Sequence, residues 1–152
     1  MGMRVIAHDA ITTNPPNYEG FCWVGVEELL KEADVVSLHC PLFPETQGMI
    51  NAKRLAMMKS TAFLLNNARG PLIVEQDLAD ALNAGQIAGA ALDVMPIEPP
   101  PVNSPLMGRD NVIFSPHTAF YSVEALAELQ TKAARGVVDV LTGKQPVYPV
   151  NP

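Results

Sequence analysis

Residues 62–70 read AFLLNNARG, and this stretch decides the fold class. Its four leading apolar residues predict a short β-strand that is covered on both faces, as in a parallel sheet. The polar residues that follow, with Gly70 and Pro71, predict a tight turn directly after the strand. Arg69 is therefore expected at the carboxyl end of a strand, the edge at which open α/β sheets bind ligands.

Strands and helices alternate on both sides of this stretch. Apolar runs predict a short edge strand over 21–24 and further strands over 4–9, 34–39, 62–65, 87–94 and 111–114. Helical spacing of apolar residues predicts helices over 26–33, 52–59, 74–83 and 122–141. Asn51 is placed to cap the second helix and Gly85 to end the third. This order predicts an α/β fold, a doubly wound parallel sheet with helices on both faces.

The last predicted helix is the longest. Its apolar residues recur every three or four positions, which predicts one buried face made of Leu126, Leu129, Ala133, Val137 and Val140 or Leu141.

Composition excludes several classes of protein. A length of 152 residues with 48% hydrophobic and 17% charged residues is typical of one folded globular domain. The net charge of −6 argues against a nucleic-acid partner, and no apolar run is long enough to span a membrane. Cys22 and Cys40 form no CxxC pair, so we expect no disulfide framework, no metal site and a reducing cytoplasm.

Three separate side chains each follow a predicted strand. They are Arg69, Glu98 in the proline-rich loop 96–105, and His117 after Ser115-Pro116. A lone arginine is usually a surface residue and a lone histidine is usually structural. At one sheet edge, however, Arg69 could grip a carboxylate in bidentate fashion. Glu98 could bond and orient the His117 ring and favour its protonated form, ready to act as a general acid.

Two aspartates also end predicted strands. Asp9 closes the first strand, where an acid in a dinucleotide-binding fold bonds the adenosine ribose hydroxyls and repels a 2′-phosphate. Asp93 closes the strand ending in Ala91-Leu92, five residues before Glu98. Either could also be an ordinary turn residue.

Several motifs, at matching spacings over nearly the whole chain, carry a resemblance to one family. They are Ala33-Asp34-Val35-Val36-Ser37-Leu38-His39-Cys40-Pro41, Pro44-Glu45-Thr46, Asn67-Ala68-Arg69-Gly70, Gly89-Ala90-Ala91-Leu92-Asp93-Val94, Glu98-Pro99 and Pro116-His117. At these motifs the chain closely resembles the D-isomer-specific 2-hydroxyacid dehydrogenases. The resemblance implies a Rossmann-like NAD-binding fold and hydride transfer between NAD(H) and a small 2-oxo or 2-hydroxy acid.

The resemblance also implies a role for each candidate residue. Arg69 would bind the substrate's carboxylate and carbonyl oxygen, and His117, with Glu98 as its partner, would donate the proton. Asp93 would hold the nicotinamide amide, and Asp9 the adenosine ribose, which favours NAD over NADP. Further residues would line the cofactor: Cys40, Pro41, Thr46, Asn67, Ala68 and Ala119.

The choice of acid is less sharply indicated. Pro71 and the stretches 81–85 and 97–101 look most like the glycerate dehydrogenase (hydroxypyruvate reductase) branch. The aromatic pair Phe120-Tyr121 resembles the C-terminal-binding-protein and glycerate branches, and could narrow the pocket or serve only packing. Phosphoglycerate, glyoxylate or lactate stay open as substrates, as does a module that binds a nucleotide or a partner without turnover.

The sequence contains no Gly-x-Gly-x-x-Gly turn, which would cradle the pyrophosphate. By resemblance, the strand before that turn and the substrate domain are absent as well. We therefore expect residues 1–152 to be a partial NAD-binding domain with a C-terminal helix over about 122–142 and little activity alone. Without that central strand, the strand over 4–9 should separate from the strand over 34–39 and leave sheet edges exposed. The longer protein from which such a partial domain would come is expected to be a homo-oligomer, namely a dimer.

Overall fold

The computed structural model describes residues 2–149. They divide into two compact units, one that ends at His117 and one that begins at Thr118. The first unit holds two parallel sheets, one of two strands and one of four. Its elements in chain order are β1 (Ile6–Ala7), β2 (Cys22–Trp23), α1 (Val26–Glu32), β3 (Val35–Leu38), α2 (Ala52–Leu55), β4 (Phe63–Asn66), a 3-10 turn (Gly70–Leu72), α3 (Glu75–Asn83), β5 (Gly89–Leu92) and β6 (Val112–Phe114).

β1 is shorter than the sequence predicts. Strand pairing covers only Ile6 and Ala7, which lie beside Cys22 and Trp23 of β2. A strand needs a neighbour for its backbone groups, and β1 pairs with no strand other than β2 in the described structure. The predicted strand over 4–9 is therefore wrong at both ends. The expected separation of this strand from β3 is confirmed, because the two belong to different sheets.

The four-stranded sheet runs in the order β3-β4-β5-β6, and all its pairs are parallel. The register aligns Val36 with Leu64, Leu64 with Ala90 and Ala90 with Val112. All four of these residues are buried. They share one hydrophobic core with Leu30 of α1, Leu55 of α2 and Leu78 of α3, so the three helices cover one face of the sheet.

The opposite face of this sheet differs from the prediction. Residues on it include Val35, Phe63 and Ile113, whose exposed fractions are 51%, 48% and 71%. Side chains alternate between the two faces along a strand, so the exposed residues all lie opposite the core. Helices on both faces were expected, but none of the described helices of the first unit packs on this face. The reason is that α1, α2 and α3 all contribute to the same core.

The helices of the first unit form where their caps and apolar spacing predict. Asn51 caps α2 as expected, its side chain accepting a hydrogen bond from the Arg54 amide at 3.3 Å. α2 nevertheless ends at Leu55 instead of Lys59, because Met57 and Met58 bond the carbonyls three residues back, which tightens the chain. Gly85 follows α3 with a φ of +66°, the left-handed conformation that ends helices.

The second unit is built around α4 (Val123–Leu141). Ser122 caps it by accepting a hydrogen bond from the Ala125 amide at 3.0 Å, so the predicted helix is confirmed. Its predicted buried face is not: Leu129 is 55% exposed and Val137 is 60% exposed. The buried side chain of α4 is instead Asp139, which pairs with Arg135. No helix among residues 2–149 is both long enough and apolar enough to cross a membrane.

Candidate active site

Arg69 is carried by a turn at the carboxyl end of β4. The chain leaves the strand at Asn66 and enters the 3-10 turn at Gly70, with Arg69 as the residue between extended and helical backbone. The side chain is exposed, and its Nη1 donates a hydrogen bond to the Ala68 carbonyl at 2.7 Å. The guanidinium is thus accessible at the sheet edge, as the sequence predicts.

Gly70 fixes where this turn lies. A Cβ at this position would lie 2.1 Å from the carbonyl carbon of Met95 and 2.3 Å from the nitrogen of Pro96. Real side chains do not approach backbone so closely, so only glycine allows this contact. The turn after β4 is therefore packed directly against the loop after β5, the loop that carries Glu98.

Asp93 joins the ends of three strands. It follows β5 directly, and only 4% of it is exposed. Its amide donates to the Asn66 carbonyl of β4 at 3.0 Å, and its Oδ1 accepts a hydrogen bond from the Ser115 hydroxyl, after β6, at 2.5 Å. The sequence places Asp93 at the strand end correctly, but the contact with Ser115 was missed.

Glu98 and His117 form the pair that the sequence predicts. His117 Nδ1 lies 2.8 Å from Glu98 Oε2, and the Met95 amide donates to Glu98 Oε1 at 2.9 Å. The His117 amide donates to the Asp93 carbonyl at 2.9 Å. His117 has a φ of +55°, which is uncommon for a residue other than glycine. Such strain concentrates at functional sites, where surrounding contacts hold it in place.

The electrostatics of this pair follow from its contacts. The hydrogen bond from the His117 ring, followed by that from the Met95 amide, lowers the pKa of Glu98 below its ordinary value. Glu98 is thus an anion at neutral pH, beside an imidazole that can carry the opposite charge. The side chains of His117 and Glu98 are 44% and 38% exposed, so a small molecule from solvent can reach them.

Asp9 and Cys40 belong to the part of the first unit before β4. Asp9 is exposed, and its Oδ1 accepts a hydrogen bond from the Ile11 amide at 2.9 Å. Burial raises the pKa of the Cys40 thiol, and the negative charge of Asp9 raises it further. The structure therefore brings the Asp9 carboxylate within electrostatic range of Cys40, which follows β3.

Thr46 stabilises the loop after β3 by hydrogen bonds to the backbone of that loop. Its hydroxyl donates to the Pro41 carbonyl at 2.8 Å and accepts a hydrogen bond from the Phe43 amide at 2.8 Å. Pro41 itself is exposed. The hydroxyl of Thr46 therefore holds the shape of the 41–46 loop, and the surface of that loop is what a ligand can meet.

The remaining predicted residues differ in their settings. Asn67 is exposed and Ala68 half-buried, both in the turn that presents Arg69. Ala119 is exposed and belongs to the second unit. Among residues 2–149, no three side chains of His, Cys, Asp or Glu are placed to share a metal ion.

The structure thus connects the candidates unevenly. Hydrogen bonds join Asp93, Glu98 and His117 into one network, and the Gly70 contact ties the Arg69 turn to it. Asp9 lies outside this network. Sequence reasoning missed the buried Asn66, whose signal was available: it continues the alternation of Leu64 onto the buried face, where a polar residue needs an explanation.

One family model matches this chain over residues 1–119: "D-isomer specific 2-hydroxyacid dehydrogenase, NAD binding domain". The hydroxypyruvate reductase of Blautia hydrogenotrophica is 45% identical over 151 residues, which cover 99% of this chain and 47% of that protein. The glyoxylate reductase of Thermofilum pendens is also 45% identical, over 93% of this chain and 41% of its own length. The chain therefore spans less than half the length of these relatives.

Solved structures agree with the fold. The NAD-complexed D-isomer specific 2-hydroxyacid dehydrogenase of Lactobacillus delbrueckii ssp. bulgaricus superimposes with a TM-score of 0.84 at 35% identity. The match covers 99% of this chain and 49% of that one. The parallel α/β fold of Rossmann type is confirmed, and the chain belongs to the NAD-binding domain family of the D-isomer-specific 2-hydroxyacid dehydrogenases.

Proposed function

We propose that this chain supplies the acid-binding and proton-transfer groups of an NAD-dependent D-2-hydroxyacid dehydrogenase. The observation that carries the proposal is the 2.8 Å contact between His117 and Glu98, at the same sheet edge as Arg69 and Asp93. An imidazole paired with a carboxylate, next to an exposed guanidinium, suits the reduction of a carbonyl that bears a carboxylate.

Arg69 would bind the acid. Its guanidinium can donate two parallel hydrogen bonds to a carboxylate, or one of them to the neighbouring carbonyl oxygen. No carboxylate of residues 2–149 forms an ion pair with it within 4.0 Å, so the positive charge is available to a ligand. Binding the carboxylate at this point would hold the adjacent carbonyl at the edge shared with His117.

His117 would move the proton. Its Nδ1 is bonded to the Glu98 anion, so the transferable proton is the one on Nε2. This proton would pass to the carbonyl oxygen as the carbonyl is reduced, so that a hydroxyl would form. His117 is left neutral and takes a new proton from solvent. In the oxidation direction it accepts the hydroxyl proton, and Glu98 stabilises the imidazolium that results.

The residues present fit one part of the NAD site. Asp93 lies at the end of β5 and would hold the nicotinamide end, while the exposed Asp9 carboxylate would accept hydrogen bonds from the adenosine ribose. The surfaces at Cys40, Pro41, Thr46, Asn67, Ala68 and Ala119 would line the cofactor. When bound, NADH supplies the hydride. The sequence holds no glycine-rich turn, so these residues contribute no pyrophosphate cradle of that type.

For the substrate we propose hydroxypyruvate, with D-glycerate as the product. The motifs around Pro71 and residues 97–101 support this branch, and so does the 45% identity to a hydroxypyruvate reductase. A glyoxylate reductase matches with the same identity, so glyoxylate is the main competitor. Phosphohydroxypyruvate and pyruvate belong in the same comparison. We further infer a cytoplasmic protein, supported by its two free cysteines. We also infer a homodimer without a nucleic-acid partner.

The first experiment is a calorimetric titration of the purified 152-residue chain with NADH. It is followed by assays of NADH oxidation with hydroxypyruvate, glyoxylate, pyruvate and phosphohydroxypyruvate. Saturable binding with the highest kcat/KM for hydroxypyruvate supports the proposal as stated. Turnover that favours another acid keeps the reaction and corrects the substrate.

Binding of NADH without turnover of any acid favours the other candidate, a module that binds a nucleotide without catalysis. The observation that favours this candidate is that the sequence contains no glycine-rich turn. If neither NADH nor an acid binds, the proposal is wrong for this chain.

Variants assign the roles if turnover is found. Arg69→Lys should raise KM for the acid by about tenfold or more, because an ammonium cannot replace the bidentate contact. His117→Gln should lower kcat by about 10²- to 10⁴-fold, the usual contribution of a general acid. Arg4→Lys and His8→Gln are the matched controls, since neither residue lies among the candidates, and both should leave the kinetics unchanged.

A further inference from the structure

Asn66 is a polar residue in an apolar row. It is the last residue of β4, and none of its surface is exposed. The register of the sheet sets it between Leu38 of β3 and Leu92 of β5, with Phe114 of β6 next in the row. These three neighbours are hydrophobic, and Leu38 and Leu92 are buried. An apolar residue would be the usual choice in such a row.

An amide in such a place is unfavourable unless its polar atoms are bonded. The side chain of Asn66 meets this requirement through the turn that follows it. Its Nδ2 donates to the Arg69 carbonyl at 2.9 Å, and its Oδ1 accepts a hydrogen bond from the Ala68 amide at 3.1 Å. One buried side chain therefore brackets the main chain on both sides of the Ala68–Arg69 peptide.

These two hydrogen bonds hold the main chain of Ala68 and Arg69. Arg69 is exposed, and its main chain is extended, with a φ of −147° and a ψ of 135°. It precedes the 3-10 turn that begins at the tightly packed Gly70. Gly70 fixes the turn from the far side through Met95, while Asn66 fixes it from the strand side. The direction in which the Arg69 side chain leaves the backbone depends on both.

We propose that Asn66 is a positioning residue for Arg69, and that its amide fixes the main chain from which the acid-binding guanidinium extends. This inference deepens the proposed function and rests on it for the role of Arg69. It makes a separate claim as well, because the order of the 67–69 turn can be measured without catalysis. Loss of the amide should loosen Ala68 and Arg69 while the sheet stays intact.

The test uses Asn66→Leu, which keeps the number and branching of the side-chain heavy atoms with somewhat more bulk and removes both hydrogen bonds, and Asn66→Ala, which removes them without that bulk. Ile87→Ala is the matched control, because Ile87 is a core residue 1% exposed that takes no part in the turn. All three variants and the unsubstituted 152-residue chain, called the parent chain below, are labelled with ¹⁵N. Backbone order parameters and amide hydrogen exchange are then measured at residues 66–70 and in β4 and β5.

In both Asn66 variants we expect the order parameters of Ala68 and Arg69 to fall from about 0.85 to about 0.6 or below, while those of β4 and β5 hold. Exchange of the Ala68 amide should accelerate by about tenfold or more, because its acceptor is gone. Ile87→Ala should leave the turn as ordered as in the parent chain. Equal order at Ala68 and Arg69 in the parent and in Asn66→Leu overturns the proposal, as does equal loosening in the Ile87→Ala control.

Kinetics give the second readout. If the chain reduces hydroxypyruvate, Asn66→Leu should raise KM for the acid by about tenfold with a smaller change in kcat, whereas Ile87→Ala should shift neither beyond twofold. A fall in kcat alone, with KM unchanged, contradicts the positioning role. If the unsubstituted 152-residue chain binds neither NADH nor an acid, the proposed function fails, and the order of the turn, which is measured without substrate, still decides the role of Asn66.

Discussion

Two regions of the first unit differ in how extensively they are hydrogen-bonded: the carboxyl edge of β4, β5 and β6, and the β1–β2 pair. At the first, hydrogen bonds run from strand end to strand end through Asp93, Ser115 and His117, above a buried row of side chains. At the second, two strands of two residues each pair with one another and, among residues 2–149, with no further strand. Both regions were assigned to one cofactor site from sequence, yet only the carboxyl edge is held by a connected network.

The difference indicates where the protein fixes the positions of its side chains before a ligand binds. Catalytic groups must be held closely, because small misplacements of reacting atoms are costly to the rate. Arg69, Glu98 and His117, the proposed catalytic groups, all lie in the well-connected region. Asp9, the proposed ribose ligand, is exposed and bonded to the nearby Ile11 amide. We therefore expect substitutions at the carboxyl edge to cost more than matched ones near β2.

The largest effect is expected for Gly70→Ala. The added Cβ would lie 2.1 Å from the Met95 carbonyl carbon, and main chain cannot move aside as a flexible side chain would. We expect a loss of about 3 kcal/mol in the free energy of unfolding, at the upper end of the range for overpacking. Urea denaturation followed by circular dichroism measures it.

Gly25→Ala is the matched control on the β2 side. Beyond its two chain neighbours, no atom lies within 4 Å of a Cβ built on Gly25, and its φ of −68° suits any residue. Gly25 is the N-cap of α1, where alanine is less favourable than glycine, so the loss there should be about 1 kcal/mol and well below that at Gly70. Equal losses at Gly70 and Gly25 would remove the contrast between the two regions.

Ser115→Ala comes next. It removes the hydroxyl that donates to the buried Asp93 carboxylate at 2.5 Å. A hydrogen bond to a charged group contributes about 1.5–3 kcal/mol, so we expect a loss of about 1.5 kcal/mol in unfolding free energy. Ser60→Ala, at an exposed serine, should change it by less than about 0.5 kcal/mol. A loss at Ser115 no larger than that at Ser60 would mean that Asp93 does not depend on this bond.

The Glu98–His117 pair should give a smaller, pH-dependent effect. The pKa of Glu98 is lowered in the folded chain, chiefly by the hydrogen bond from His117. Its stabilising contribution is therefore complete above the ordinary carboxyl pKa of 4.5 and is lost as the pH falls through the lower folded value. Because both side chains are more than a third exposed, it should stay below about 1 kcal/mol.

Glu98→Gln tests this directly. Urea midpoints of the parent chain and the variant, compared from about pH 6 down to about pH 3, should differ most at the upper end and converge at the lower. A difference that is the same at every pH would show that the carboxylate charge plays no part.

The smallest effect is expected for Trp23→Phe in β2. The indole Nε1 is buried and has no hydrogen-bond partner among residues 2–149. Removing an unsatisfied donor offsets the area lost with the smaller ring, so the free energy of unfolding should change by less than about 0.5 kcal/mol. The ring stacks edge-on to Phe21 at 5.0 Å, a contact that phenylalanine can keep. A loss above about 2 kcal/mol would show that β2 is as closely fitted as the carboxyl edge.

Sequence patterns predicted the parts of the fold that depend on local chemistry. The apolar runs at 34–39 and 62–65 predicted β3 and β4 within a residue or so, and the Asn51 cap predicted the start of α2. The predicted pairing of Glu98 with His117 is confirmed at 2.8 Å. The extent of β1 was wrong, since a strand lasts only as long as its partner does. The buried face of α4 was wrong as well, because periodicity shows which side is apolar and not what covers it.

The sequence by itself determined the alternation of strands and helices, the family, and which residue types end the strands. Those properties depend on the order of side chains along the chain. Only the tertiary structure decided that one face of the β3–β6 sheet is buried and the other exposed, and that Gly70 contacts Met95. It also decided that Asn66 holds the turn before Arg69 and that Ser115 bonds Asp93. The Gly70, Ser115 and sheet-face contacts join residues that are distant in sequence. They follow from strand register, which local patterns do not specify. The role of Asn66 could be recognised only from the structure, because the sequence does not show that its side chain is buried and bonded to the turn.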